Sequence, residues 1–513
     1  MRSAFILVLC ILCISCKAQL YDPTIEALLA NRGLFPFGVA SGDPRPNQVV
    51  LWTKLAPTDL GQEWMVKWEI ATDTLLTQVV AQGVVATDSS SAFTLMVEPD
   101  QLAPATTYYY RFSANGESSA IGRTRTAPEN PAALRFAVVS CSNYLDRFFN
   151  GYALIANRAD LDAVIHLGDY IYEYGADLSN TRQHIPAHDI VSLRDYRSRY
   201  AQYRLDPDLA EMHRLHPIIA IWDDHEFAND SHRAGARNHQ SHQGDWNERS
   251  TTAKQVWFEW LPTMTRAEQT VVRSFSFGQL ADLFMIDGRL QRDEPVESYN
   301  DSVVRSPIRT KLGQQQTAEL THWMSTSQAH WKILGNNVMF APIDLGWFAK
   351  DRRWNMDAWD GFPANRSQIL DSIAAHQIRN VVVITGDIHM AWCLELVRDP
   401  HSKKGPYRKK GQGAFGAEFV AQSISSANVD EYIGRLGGRL ANGYMRSKKR
   451  NPHVRYVNVS DHGYMLLDLS EQEAKATWFF TKQPYARTLA IKKPVAWSLK
   501  YNGGLSKVKP NGQ

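Results

Sequence analysis

Four apolar runs in this chain end on residues that carry chemistry, and this pattern constrains the fold more than any other. LRFAVVSCSN reaches Cys141. AVIHLGDYIY carries Asp169 and Tyr172. IIAIWDDHEFAND runs into Asp223, Asp224, His225 and Glu226, and VVVITGDIH ends on Asp387 and His389. Short continuous apolar runs bounded by Gly and polar residues read as strands buried on both faces. Strands that bring carboxylates, imidazoles, a phenol and a thiol to one sheet edge build a metal site, so a multi-metal hydrolase is expected.

Each motif also has a plainer reading. Asp169, after the turn-forming Gly168, stands three residues from Tyr172. The pair reaches a common ion if the chain turns helically, or else caps a helix and packs its core. A carboxylate can bridge two metals, and a phenolate suits Fe3+. Asp223 to Glu226 crowd four ionisable groups at one strand end, with Asn229 and Asp230 following. That is costly unless cations or hydrogen bonds compensate, and otherwise it is a solvated acidic turn. Asp387 and His389, two apart in an extended segment, face one side and can grip one ion or two. Asn336 and Asn337 are candidates for amide ligation or for core hydrogen bonding. Cys141 is a metal ligand, a nucleophile or a small buried hydrophobe.

With 513 residues the chain exceeds one ordinary domain. A composition 44% hydrophobic and 21% charged supports a sizeable core. A net charge of +3 is too small to imply nucleic-acid binding, so the basic stretches Lys403 to Lys410 and Ser447 to Arg450 read as solvated loops, with a binding role as the less favoured alternative. The first residues, MRSAFILVLCILCISCKAQ, read as an export signal over 1–18, cut after Ala18, with no transmembrane segment left once it is removed. A buried first helix is the weaker reading. Ile14-Ser15-Cys16 loosely resembles a lipoprotein site, which makes a lipid anchor on Cys16 the less favoured alternative. The expected location is periplasmic or extracellular, and the expected state a monomer. Of the five cysteines, Cys10, Cys13 and Cys16 leave with the signal. Cys141 and Cys393 remain, with no disulfide framework.

Residues 35–126 alternate apolar and polar positions between Gly, Pro, Asn and Asp turns, as in a small antiparallel sandwich of the fibronectin kind. Tyr108, Tyr110 and Phe112 alternate on one strand face. Arg125 to Pro131 reads as a linker. From Leu134 apolar strands alternate with helical patterns, which predicts a layered α/β domain over 134–480. Helices are expected over Leu193 to Met212, broken at Asp206-Pro207, and over Ser250 to Trp260 and Gln314 to Ser327. Residues 481–513 read as a polar tail.

The order of the motifs, Cys141, then GDYIY, WDDHE-x-x-N and GDIH, resembles the PhoD-type alkaline phosphatase and phosphodiesterase family of calcineurin-like metallophosphatases. FGVASGDP, VVLWTKL, SCSN, HLGDYIYEYG, DYRSRYAQYR, DPDLAEMH and DAWDGFPANR are similar to that family's motifs, so the resemblance covers about Phe35 to Leu469. It implies a four-layer α/β metallophosphatase core behind a β-sandwich. It also implies an iron with one or two calcium ions. Fe3+ falls to Cys141, Asp169, Tyr172 and His389; Ca2+ falls to Asp169 as the bridge, with Asp224, Asn229 and Asp387. The choice between Asp224 and Asn229 as direct ligand stays open. His225 matches the histidine that faces the leaving group. The implied activity is hydrolysis of phosphate mono- or diesters through attack by metal-bound hydroxide. Two alternatives are a surface binding protein without catalysis and a thiol hydrolase centred on Cys141. Trp359, Asp360 and Arg366 line the entrance or form a structural loop. Arg2-Ser3 departs from the twin-arginine signal carried by many members, so the export route is not implied.

Overall fold

The structure is a computed structural model that describes residues 20–180, 182–346 and 354–510. The signal segment 1–18 and the anchor reading at Cys16 lie outside the described residues. The strands that position the site are β1 (Val39–Gly42), β2 (Val50–Lys54), β3 (Thr94–Val97), β4 (Ala133–Val139), β5 (Ala163–His166), β6 (Pro217–Ala220) and β7 (Val381–Thr385).

In a ten-stranded sheet, β4, β5, β6 and β1 lie side by side and parallel, with Val164 opposite both Ala137 and Ile218, and Ser41 opposite Pro217. β2 and β3 continue the sheet beyond β1. Gly463–Ser470 and Glu473–Phe480 extend it beyond β4. A seven-stranded sheet contains β7 between Trp331–Asn336 and Ala414–Val420, again parallel. Parallel strands end together, so Cys141, Asp169 and Asp223 leave β4, β5 and β6 at a common edge, as in α/β sheets that bind ligands there.

The apolar runs are strands because both of their faces are covered. Phe136, Val138 and Ile165 share a core with Ile333, Val382, Ile384 and Phe419 of the other sheet. The alternate residues Val381, Val383 and Leu334 pack in a second core with Leu320, Ile369 and Ile373 from the helices Gly313–Thr326 and Pro363–Ala375. Each fully buried Val, Ile or Phe contributes about 1.5–3 kcal/mol, which offsets the cost of the charged strand ends.

The predicted helix break is present. Leu193–Arg204 stops, and Asp206 accepts from Asp208 N at 3.0 Å to start Pro207–Leu215. The amino-terminal region is all-β, and Tyr108, Tyr110 and Phe112 all point inward, as their alternation predicts. Its strands are split between two sheets. Trp64–Ala71, Val79–Thr87, Thr107–Ala114, Glu117–Ser118 and Gly122–Arg125 form their own sheet, whereas β1, β2 and β3 belong to the ten-stranded one. One segment requires correction. Residues 481–513 are not simply a polar tail, because Val495–Lys500 and Leu505–Val508 add two edge strands to the ten-stranded sheet. Alternation of apolar and polar residues in VAWSLK builds the strand despite the surrounding Lys, Pro and Gly.

Candidate active site

The chain turns sharply where the strands end. Cys141, Asp169, Asp387 and His389 have φ of 59°, 55°, 65° and 61°, all in the left-handed region. Such a conformation costs a non-glycine residue of order 1–3 kcal/mol, and it clusters where surrounding structure enforces it for function. Gly168 lies at φ 102°, and a Cβ there would fall 2.4 Å from Asp223 N, so β5 and β6 can approach only around a glycine. Glu226 clamps the turns. One of its carboxylate oxygens accepts from Asp169 N at 2.9 Å and Asp223 N at 2.8 Å, the other from Tyr170 N at 2.7 Å. Cys141 N donates to Gly168 O at 3.2 Å, tying the β4 and β5 ends together.

These turns gather the side chains into three overlapping groups: Cys141, Asp169 and His389; Asp169, Asp224 and His225; Asp223, Asp224 and Asp387. Within each group the donor atoms lie within 4.8 Å of one another. The Tyr172 hydroxyl donates to Asp169 Oδ2 at 2.9 Å and lies 3.2 Å from His389 Nε2. His389 Nδ1 lies 2.8 Å from Ala427 O, which leaves Nε2 as the ring nitrogen toward the site. His225 Nδ1 pairs with Glu173 Oε2 at 2.7 Å, and its ring stacks on Tyr172 with centroids 4.1 Å apart.

Charge is concentrated where little solvent screens it: Cys141, Asp169, Asp223, Asp224 and Glu226 are buried, and Asp387 and His389 half-buried. Burial, reinforced by Asp223, Asp224 and Glu226, lifts the Asp169 carboxyl well above the usual range although His225 opposes the lift. Burial likewise raises Asp223 to about 6 and Glu226 to about 7. The Cys141 thiol is pushed up by burial and then by Asp169, and burial lowers His389 to about 4. Burial alone would depress His225, but Glu173, Asp169 and Asp224 outweigh it and hold the imidazole protonated. The principal counter-charge is Arg289, which has no solvent exposure. It touches Asp223 and reaches Asp387 at 2.8 Å, Asp357 at 2.5 Å and Asp224 at 3.3 Å. Arg292 supports it from behind, 2.6 Å from Asp357.

Cys141, Asp169, Tyr172, Asp224, His225, Asp387 and His389 are thus brought together. Asn229 stands at the margin: its N–H donates to Glu173 Oε1 at 2.7 Å, and its amide oxygen accepts from Tyr174 at 3.2 Å. Asn336 is committed to the core, accepting from Trp359 Nε1 at 3.3 Å. Asn337 is buried with neither amide atom partnered, and its carbonyl receives Gly386 N at 3.1 Å. Trp359 and Asp360 lie in a buried 3-10 turn, and Arg366, on the helix Pro363–Ala375, is tied back to it. Trp359 is fully buried, and Arg366 binds Asp360 at 2.9 Å and Phe340 O at 3.1 Å. Glu173, Arg289, Arg292 and Asp357 were not singled out by sequence reasoning. The signal for Arg289 was present in LFMIDGR, a further apolar run ending in charge.

An all-β amino-terminal region and mixed α/β sheets with carboxylate, imidazole and thiol groups that could hold a metal clustered at parallel strand ends are the features set against known proteins. Residues 136–478 match the family model of the PhoD-like phosphatase, and residues 24–128 match that of the PhoD-like phosphatase N-terminal domain. The chain belongs to the PhoD-like phosphatase family. Alkaline phosphatase D of Bacillus subtilis (strain 168) is 35% identical over 475 residues, 86% of this chain and 77% of that protein. A solved structure of PhoD superposes with a TM-score of 0.83 at 32% identity, covering 93% of each chain. The protein is therefore a phosphoric ester hydrolase of the alkaline phosphatase D type, as the order of motifs implies.

Proposed function

We propose that this chain is an exported, metal-dependent alkaline phosphatase and phosphodiesterase in which Cys141, Asp169, Tyr172 and His389 hold Fe3+. In the same reading Asp169, Asp224, Asn229 and Asp387 hold one or two Ca2+ ions. The observation that carries it is the overlap of three donor groups through Asp169 and Asp224, each group within 4.8 Å. The donor chemistry fits. Thiol, phenol and imidazole on one side suit iron, and carboxylate and amide oxygens on the other suit calcium. The amide of Asn337 and Asp223 Oδ2 are buried without a hydrogen-bond partner, as groups that meet a bound ion or water are. Asp224 is favoured over Asn229 as the direct ligand, since it joins two of the groups while Asn229 is engaged by Tyr174.

When bound, the cations would neutralise the phosphate and lower the pKa of the attacking water. The rest falls to the protein. Glu173 fixes Nδ1 of His225, leaving Nε2 to give a hydrogen bond or proton to the leaving oxygen. Tyr172 stacks against that ring and limits its rotation. Arg289 holds Asp224 and Asp387 in register, so that the site is shaped before substrate arrives. The same reading treats 35–126 as a fibronectin-like sandwich and 134–480 as a four-layer metallophosphatase core. It takes a monomer acting in the periplasm or outside the cell. No helix among the described residues is long and apolar enough to cross a membrane.

Purified protein should hydrolyse p-nitrophenyl phosphate or its bis ester at alkaline pH, and chelation should abolish that activity. Undiminished activity in Asp169→Ala would sink the metal reading. Phenolate on Fe3+ should give a visible absorption band that Tyr172→Phe removes. The Cys141 thiol-hydrolase reading is disfavoured by the thiol itself, which is fully buried and pushed up by burial away from the reactive thiolate. It would require inactivation by alkylation without any metal dependence.

A further inference from the structure

The helix Val429–Met445 begins at the rim of the site. Asn428 is its N-cap. The preceding Ala427 carbonyl faces His389, and Ser426 Oγ donates to the Tyr172 hydroxyl at 2.7 Å. Its inner face, Gly438, Ala441 and Met445, packs on the protein. An ordinary surface helix is polar on its other face. Here that face carries exposed apolar side chains. Leu436 and Leu440, one turn apart beyond a kink at Gly434, are 71% and 51% exposed, and Tyr432 before the kink is 79% exposed. Arg435 and Arg439 lie exposed between and beside them.

The two basic stretches of the sequence meet where this helix ends. Arg408 Nη2 donates to the carbonyls of Lys449 at 3.0 Å and Arg450 at 3.5 Å, joining the segments. Lys403, Lys404, Lys409 and Lys410 are exposed on one of them, Lys448 and Lys449 on the other. The exposed acid of the helix, Glu431, is taken by Arg147. An apolar row flanked by arginines and continued by a lysine-rich patch has the composition of a helix that lies in a lipid interface. There the apolar side chains enter the acyl boundary and the cations meet anionic headgroups.

We propose that this face docks the enzyme on an anionic phospholipid bilayer and so holds the rim of the site at the membrane surface. Docking is read from vesicle binding rather than hydrolysis, so it stands or falls separately from the metal assignment.

The test uses the full chain at physiological ionic strength with two vesicle types: pure phosphatidylcholine, and phosphatidylcholine mixed equally with phosphatidylglycerol. Sedimentation with the anionic vesicles only is expected. Leu436→Glu with Leu440→Glu, and separately Lys448→Glu with Lys449→Glu, should each weaken binding about tenfold or more. Hydrolysis of soluble bis-p-nitrophenyl phosphate should be unchanged in both variants, which shows that they are folded. No sedimentation of the wild type, equal binding to both vesicle types, or undiminished binding by the leucine variant would overturn the proposal. So would polyphosphate binding that is lost in the lysine variant while vesicles are ignored, since that assigns the patch to a soluble polyanion.

Discussion

At the scale of single residues, Arg289 carries the largest electrostatic responsibility outside the donor set. Four carboxylates from three separate segments converge on one buried guanidinium. Removing one partner of a buried ion network leaves the others uncompensated, at a cost of about 3–5 kcal/mol. Arg289→Met should therefore lower the urea stability of chelator-treated protein by that amount. The loss should be smaller in metal-loaded protein, where bound cations compensate the same carboxylates. Equal losses in both forms would show that Arg289 is packing and not counter-charge. Glu173→Gln tests a second residue: it keeps the shape beside His225 but removes the charge that holds its imidazole protonated. The expected outcome is a fall in kcat of about 10²-fold or more with little change in KM, measured on an ester with a poor leaving group. The role of neither residue was legible in the sequence. Each acts through partners dozens of positions away, so although Arg289 closes the apolar run LFMIDGR, nothing local says which charges either residue will meet.

At the scale of elements, the strand-to-turn junctions are the construction principle. Their existence was legible because a run such as VVVIT buries both faces and then stops on Gly386-Asp387. Their left-handed geometry at Cys141, Asp169, Asp387 and His389 was not, since no non-glycine residue advertises a positive φ. The fit between β5 and β6 turns on Gly168. Gly168→Ala would place a Cβ 2.4 Å from Asp223 N in a conformation that alanine resists. A loss of about 2 kcal/mol or more is expected, read as a lower urea midpoint. The strand Val495–Lys500 was missed for the opposite reason: its alternation is short and its neighbours are turn-like and basic. The pairing of β1 with β6 was also beyond reach, because periodicity announces a strand and says nothing of which distant strand it will meet.

At the scale of the whole molecule, acid sensitivity follows from buried imidazoles. Burial lowers His166 to about 3, His216 to about 4 and His462 to about 3, from an ordinary value of 6.5. A depressed folded-state value means that the fold holds these rings neutral. Their contribution is complete above pH 6.5 and is lost as pH falls from there toward 4 and 3, because the unfolded chain takes up the protons first. The raised carboxyls of Asp223 and Glu226, protonated first in the fold, act the opposite way, so the imidazole contribution is read by comparison: between pH 6.5 and 4.5 the urea midpoint of the wild type should lose more, or gain less, than that of His166→Gln. Identical changes in the two proteins over that range would contradict this.

The parallel pairing of β1 with β6 has a consequence for handling the protein in pieces. The family models leave a gap between residues 128 and 136, an inviting place to trim the gene. Yet Ser41 and Gly42 sit directly against Pro217 and Ile218, on the strand that leads into Asp223, Asp224 and His225. A fragment starting at residue 134 would expose the bare backbone of β6 as a sheet edge, which is a template for association with other chains. Such a fragment should precipitate or form higher oligomers on size exclusion, where the intact chain elutes as one species. What looks in the sequence like an optional preface is the missing wall of the room in which the reaction takes place.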